Sequence, residues 1–303
     1  MGEVTYSYSR LDTFEQCQFK YRLKYEEKHY LFCNSVATEL GTLVHETEEA
    51  IANCLKDGTA IDYITLKNNF IKKAYELKHK YAADFNTKDK SDRTYDDKIY
   101  GYLNAGIYKL EQFMKAHPTY EIVGIEQPFE IDYAPEKKFK GFIDRVFYDT
   151  ATDLYVIQDI KTYAVPLEHD KLTTPLQFVV YTMAAKALWN CTEANIKCQY
   201  YLPFCDLTQD AGTKGFIARG CKKLDELFVG IDAKDCTPNP TPLCAWCEYS
   251  CSNPNAPEEG KYLCPYFCHW TREKKDFSKE NEWQGKEAHG RIMESYLKKV
   301  QKS

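Results

Sequence analysis

An acid and a lysine two residues apart inside an apolar strand are the first chemistry this chain offers. The run Tyr155-Val156-Ile157-Gln158-Asp159-Ile160-Lys161-Thr162 puts Asp159 and Lys161 on one face of an extended segment, because strand side chains alternate with period two. The acid-x-Lys triplet alone says little, since it recurs at 26/28, 76/78, 96/98, 136/138, 232/234 and 273/275. Those copies sit in polar or helical stretches. At 159/161 the neighbours are core-type residues, and one charge left alone in such a setting costs roughly 3 to 5 kcal/mol, so something must compensate it. A second acid, Asp144, lies in Gly141-Phe142-Ile143-Asp144-Arg145-Val146-Phe147, at the distance of a hairpin partner. Two carboxylates brought side by side repel unless a divalent cation neutralises both, and Mg²⁺ favours an oxygen-rich shell of this kind. Such an ion activates water and stabilises charge on a phosphoryl group, with Lys161 placed to orient that water or hold the phosphate. The chemistry these residues could do is metal-assisted phosphodiester hydrolysis.

For those side chains to meet, strands must abut and helices must flank them. After Pro118, runs rich in Ile, Val, Phe and Tyr at 121–132, 139–149 and 154–162 are separated by Pro135 and by residues 150–153, a pattern that predicts an antiparallel meander. Upstream, Leu11, Phe14, Tyr21 and Tyr25 mark a helix opened by Ser9 and Asp12, and Leu40, Val44, Ile51 and Leu55 mark a second that ends at Asp57-Gly58. Helices are also predicted at 62–83 and 96–117, with the polar segment 86–98 as a loop between them. Downstream come a helix at 174–189, strands near 195–204 and 214–219, and a helix to about 232. Strands flanked by helices give an α/β fold with a central mixed sheet. Alternation turns Arg145 away from the Asp144 face, so it receives no chemical role; Glu126 could face the metal as an additional acid but reads first as a solvated strand residue.

The 303 residues carry a net charge of −5 and a pI near 5.9, which argues against coating nucleic acid with the whole surface but allows a small basic groove. The N-terminus lacks a signal peptide pattern, and no apolar run is long enough to span a bilayer, so a soluble cytoplasmic protein without membrane association is expected. Thirteen cysteines in such a chain suit metal ligation better than disulfides. Residues 236–268 are rich in Cys, Pro and Asn with little periodicity, a segment that needs an organiser other than an apolar core. Cys33, Cys54, Cys191, Cys198, Cys205 and Cys221 fall in periodic segments and read as buried small residues. There is no G-x-x-x-x-G-K-[ST] loop, so the chain is not itself an NTP-driven helicase. Three regions are expected: a core at 1–235, a cysteine-rich metal-binding segment at 236–270 packing on it, and a charged helical tail at 271–303.

With Asp144, Asp159 and Lys161 in hand, the chain resembles the PD-(D/E)XK nuclease superfamily, in the branch that includes the RecB nuclease domain, AddB and the iron-sulfur CRISPR adaptation nucleases. Gly41-Thr42-Leu43-Val44-His45-Glu46-Thr47-Glu48-Glu49 looks like the helix motif G-x-x-x-H-x-x-x-E, and Gln177-Phe178-Val179-Val180-Tyr181 like Q-x-x-x-Y. Ser7, Ser9, Leu11, Phe14, Cys17 and Tyr21 match an N-terminal S-x-S-x-L-x-x-F-x-x-C-x-x-x-Y signature. Cys244-x-x-Cys247 plus a later cysteine is similar to the C-terminal half of a four-cysteine cluster. The motifs run in the family's order from Ser7 to Cys264. Two departures stand out: Gln18 replaces the proline that usually follows the first cluster cysteine, and the C-x2-C-x5-C spacing is absent.

The resemblance implies a restriction-endonuclease-like core whose N- and C-terminal segments are stapled by a cysteine metal centre. It implies catalytic roles for Asp144, Asp159, Lys161, Gln177 and Tyr181, and metal contacts at His45, Asp144, Asp159 and Ile160, with Mg or Mn as the catalytic ion. It implies a 4Fe-4S cluster on Cys17, Cys244, Cys247 and Cys264, with Cys251 as the alternative fourth ligand. Zinc is the rival occupant, through Cys244, Cys247, Cys264 and Cys268 or His269 alone. The implied activity is that of a deoxyribonuclease, an exonuclease of recombination, repair or phage DNA metabolism acting on DNA, single-stranded ends included, with a helicase as partner. The rival functions are a catalytically silent DNA-end-binding module and a zinc-organised interaction protein.

Overall fold

The computed structural model describes residues 3–33, 35–80, 94–107, 109–239, 241–250, 253, 255–261 and 263–264. Cys251, Cys268 and the tail at 271–303 lie outside the described residues, as does most of the loop expected at 86–98. The described residues form two compact units, one drawn from positions 1–8 and 35–224, the other from positions 9–34 and 225 onward. Most of the first helical segment thus falls in the same unit as the cysteine-rich segment.

The first unit is built on six strands: β1 (Val4–Tyr6), β2 (Tyr120–Ala134), β3 (Lys137–Asp149), β4 (Leu154–Ile160), β5 (Ile196–Leu202) and β6 (Leu207–Ala211). The predicted meander is present, with β2 antiparallel to β3 and β3 antiparallel to β4. β4 then pairs parallel with β5, and β5 antiparallel with β6. One edge of β3 is filled by β2. The other is shared by β4, which pairs at 145–149, and by β1, which pairs in parallel at 137–139. Residues 140–144 of β3 fall between those two partners, and Asp144 is in that gap.

Helix α3 (Val36–Asp57) crosses one face of this sheet; α1 (Tyr8–Gln16) and α2 (Gln18–Tyr21) precede it. Ser35 caps the N-terminus of α3, its side chain accepting from the Thr38 amide, and Gly58 closes the C-terminus in the left-handed conformation at φ 64°, as the Asp57-Gly58 signal predicts. Its stripe Leu40, Leu43 and Val44 packs against Phe70 of α4 (Tyr63–Lys80) and Ile99 and Leu103 of α5 (Tyr95–Ile107). Two turns further on, Ile51 and Ala52 meet Leu110 of α6 (Lys109–Ala116) and the sheet residues Ile122, Phe147 and Val156. Helices α7 (His169–Thr173) and α8 (Leu176–Trp189) connect β4 to β5, and α9 (Phe216–Asp232) follows β6.

Two sequence expectations are corrected. The sixth strand is at 207–211, not 214–219. Leu-Thr-Gln-Asp-Ala is too polar to signal a strand, yet it is an outer strand with one partner and alternate residues exposed, whereas Phe216 and Ile217 open an amphipathic helix. Helix α5 also starts before residue 96, because Thr94 and Asp97 form a reciprocal cap: the Thr94 amide donates to the Asp97 carboxylate at 2.7 Å and the Asp97 amide to the Thr94 hydroxyl at 3.2 Å.

Nothing lies within 4 Å of where a Cβ would sit on Gly58, so its φ of 64° is the only obstacle to a side chain there. Gly58→Ala is expected to lower stability by about 1 kcal/mol, read from urea denaturation.

Candidate active site

All the site residues predicted from the strands and from α3 and α8 lie in the first unit. Arg145 of β3 stands opposite Gln158 of β4, so Asp144 and Asp159 are the next residues of the two strands and share the opposite face. Asp144 is tied to the end of β4 by the Ile160 amide, which donates to its Oδ2 at 2.8 Å. The backbone of Ile160 also meets the His45 ring, whose Nδ1 lies 3.8 Å from the same Asp144 oxygen. His45, Glu126 and Asp144 each present a ligand-type atom within 4.8 Å of the other two. They line a cavity of about 680 Å³ with Glu49, Thr162 and Tyr163.

Asp159 sits one step deeper, 1 % exposed. Lys161 Nζ lies 2.7 Å from its Oδ2. Oδ1 accepts from Gln177 Nε2 at 2.7 Å. The same amide nitrogen donates to the Tyr181 hydroxyl at 2.9 Å, and the amide oxygen accepts from Lys161 Nζ at 3.3 Å. Gln177 thus bridges the acid and the lysine, one helical turn before Tyr181 on α8. That spacing is what Q-x-x-x-Y supplies.

The electrostatics follow from crowding carboxylates in a half-buried place. Burial raises Asp159 to about 6, with Lys161 opposing and Asp144 adding to the rise. Burial also raises Asp144, against the Ile160 amide and Lys161. Glu126 is pushed up to about 7, first by burial and then by Asp144, Glu49 and Asp159. Burial opposes the charge of Lys161, but Asp159 and Asp144 outweigh it and its pKa is raised. His45 is lowered by burial, in spite of Asp159, so its imidazole is neutral near pH 7 and able to ligate a metal. One lysine facing Asp144, Asp159, Glu126 and Glu49 leaves an excess of negative charge that a cation relieves.

Glu126 corrects the reading of it as a solvated residue. It is the β2 residue that stands across from Asp144, between the pairs Ile125–Arg145 and Gln127–Ile143, and it holds φ at +39°, a costly conformation for a non-glycine. The signal was an acid at the hairpin position opposite Asp144. Gly41 is explained by close approach: a Cβ there would lie 2.9 Å from Thr162 Oγ1, directly after Lys161. Among the scattered cysteines only Cys198 is buried; Cys33, Cys54, Cys191, Cys205 and Cys221 are partly exposed.

In the second unit, Cys17, Cys244, Cys247 and Cys264 line one cavity of about 140 Å³ with Lys20. Short backbone turns gather them, with the Cys247 amide on the Cys244 carbonyl at 3.2 Å and the Cys264 amide on that of Tyr249 at 3.0 Å. Burial pushes Cys247 up to about 12, so a thiolate there requires a cation beside it. Burial works against the charge of Lys20, yet Glu248, Cys247 and Cys17 outweigh it. Lys20 lies 2.9 Å from Glu248. Among the described residues, no three of these thiols come within 4.8 Å of one another.

Residues 5–252 match the sequence profile of the PD-(D/E)XK nuclease superfamily, and the chain belongs to that superfamily. The mixed sheet flanked by helices is consistent with a restriction-endonuclease-like core, and membership marks the protein as a nuclease, with DNA the implied substrate. No curated protein matches the chain. Among the described residues, no helix is long and apolar enough to cross a membrane.

The Gly41 contact can be tested directly. Gly41→Ala gains helix propensity but drives a methyl into Thr162, an overpacking cost of about 1 to 3 kcal/mol. A net loss of stability is expected, with recovery in Gly41→Ala/Thr162→Ala, measured by a denaturation double-mutant cycle.

Proposed function

We propose that the chain is a Mg- or Mn-dependent deoxyribonuclease, an exonuclease of the RecB/AddB-like branch, and that its reaction centre is the cavity lined by His45, Glu126 and Asp144, with Asp159 just beneath it. The observation that carries this reading is the meeting of Asp144 with His45 and Glu126, next to Asp159 on the adjacent strand, which holds Lys161 at 2.7 Å. The donor set of one neutral imidazole and several carboxylates suits a hard divalent ion. His45, Asp144, Asp159 and the backbone of Ile160 would hold it, with Glu126 as an added carboxylate. When bound, the ion supplies Lewis-acid stabilisation of phosphoryl charge and a lowered pKa for attacking water.

The protein's own groups do the rest. Lys161, kept charged by Asp159, offers an ammonium to the attacking water or to a phosphate oxygen. Gln177 fixes the lysine and Asp159 together, and Tyr181 holds Gln177 in that orientation. DNA, single-stranded ends included, is the proposed substrate and a helicase the proposed partner. Recombination, repair or phage DNA metabolism is the proposed setting, and the cytoplasm the location.

The second-unit cysteines are proposed to hold a 4Fe-4S cluster through Cys17, Cys244, Cys247 and Cys264. The gathering of Cys17 with Cys244, Cys247 and Cys264 around one cavity supports this reading, because it joins an N-terminal thiol to the C-terminal group. Protein purified without oxygen is expected to carry iron and acid-labile sulfide, both lost in Cys247→Ser. Zinc without iron in elemental analysis overturns the assignment.

The reaction centre makes two predictions. With labelled DNA and Mn²⁺, Asp159→Asn is expected to lose cleavage and bind the ion poorly; Lys161→Ala is expected to keep ion binding and lose about 10²- to 10³-fold in rate. A well-folded, ion-replete wild type that cuts no form of DNA would contradict the reading. The pH dependence follows from the raised carboxyls. Between the ordinary carboxylate range and the values of about 6 for Asp159 and about 7 for Glu126, the metal-free native protein binds more protons than the unfolded chain, so its stability falls as pH rises through that window. Ion binding displaces those protons, so Mn²⁺ affinity should rise over the same window and level off above about 7. Thermal melts with and without chelator, and calorimetry in buffers of different ionisation heat, measure both.

A further inference from the structure

Directly behind the reaction centre, on the opposite sheet face, lies a buried polar knot. Arg145, Glu48 and Gln158 are 1 %, 0 % and 0 % exposed. Arg145 Nη1 donates to Glu48 Oε2 at 2.9 Å, its Nε donates to Gln158 Oε1 at 2.9 Å, and its Nη2 reaches the same amide oxygen. The guanidinium also lies over the rings of Phe147 and Tyr201, 5.4 Å from each centroid. Each member of the knot is joined through the chain to a group of the reaction centre. Arg145 follows Asp144, Gln158 precedes Asp159, and Glu48 lies one turn beyond His45 and next to Glu49.

Stability is a poor explanation for this arrangement. Buried ion pairs are commonly no better than apolar packing of the same volume. Here Glu48 Oε1 and Gln158 Nε2 are also buried without a hydrogen-bond partner among the described residues, and half-satisfied networks carry a cost. What the knot does supply is geometry. A guanidinium is a rigid fork with fixed donor directions, and this one spans α3, β3 and β4, the three elements that deliver His45, Asp144 and Asp159. Around it, α3 meets the sheet through aliphatic and aromatic contacts such as Ile51, Ile122 and Phe147, which do not by themselves fix a sliding register.

We infer that Arg145, bridged to Glu48 and Gln158, is a positioning residue that sets the distance between His45 on α3 and the Asp144–Asp159 pair, and so the affinity of the site for its divalent ion. The inference rests on the nuclease reading, and its test is chosen to separate the two. Mn²⁺ binding is measured by calorimetry without DNA, cleavage kinetics and thermal unfolding in parallel, for wild type, Glu48→Leu/Arg145→Met, Arg145→Lys and Glu48→Gln.

The double variant removes the knot without stranding a charge. It is expected to unfold cooperatively at or above the wild-type temperature, yet to lose about 10- to 100-fold in Mn²⁺ affinity and in kcat, with KM for DNA unchanged. Arg145→Lys keeps the charge but not the fork and is expected to lose Mn²⁺ affinity, whereas Glu48→Gln keeps an acceptor for Arg145 and is expected to stay within a few-fold of wild type. A folded double variant with wild-type Mn²⁺ affinity and kcat overturns the inference. If the double variant does not fold, equal Mn²⁺ affinities for Arg145→Lys and Glu48→Gln overturn it instead. If wild type binds Mn²⁺ but cuts nothing, the nuclease reading fails while the binding comparison still decides the role of Arg145.

Discussion

The register between β3 and β4 is the constraint from which the rest of the structure follows. Pairing Arg145 with Gln158 sends Asp144 and Asp159 to one face and Arg145 and Gln158 to the other. A slip of one residue would reverse the faces of one strand against the other and put an acid where a buried guanidinium needs its amide partner. The same pairing leaves Asp144 beside the gap in the β3 edge, where α3 can bring His45 to the end of β4. The long apolar run of β4 and its buried neighbours make that register costly to change, since Ile157, Val146 and Phe147 are all fully buried.

Charge is concentrated where the sheet opens and is answered by geometry. One lysine, fixed by Gln177, faces a group of carboxyls whose pKa values are raised by burial and by one another. Glu126 is held there in a left-handed conformation that only a surrounding structure can maintain. A metal-free site of this kind stores unfavourable electrostatics, so the proposed cation would displace protons on binding. Gly41 belongs to the same economy of space, since it lets α3 approach Thr162 closely enough for the imidazole to reach Asp144.

Much of this was legible in the sequence because it is written in period and order. Period two in 139–149 and 154–162 gave the two central strands and the shared face of Asp159 and Lys161, and Asp57-Gly58 marked the end of the helix that carries His45. Glu126 was legible only as the second of two readings, because an isolated acid in a strand ordinarily faces water and its opposition to Asp144 depends on the β2–β3 register. Arg145 was correctly turned from the Asp144 face, but alternation says nothing about what waits on the other side, and Glu48 is 97 positions away in the chain. β6 was misplaced because an edge strand with one wet face needs little hydrophobicity. The gathering of Cys17 with Cys244, Cys247 and Cys264 is a long-range closure that spacing alone does not specify.

The central claim is that a divalent ion sits where β3 and β4 present their acids. Anomalous diffraction from a crystal soaked in Mn²⁺ tests it most directly. The account predicts a strong manganese peak in coordination contact with His45, Asp144 and Asp159, within reach of Glu126 and beside Lys161. A well-occupied peak elsewhere in this unit, with that cavity holding no ion, would contradict it.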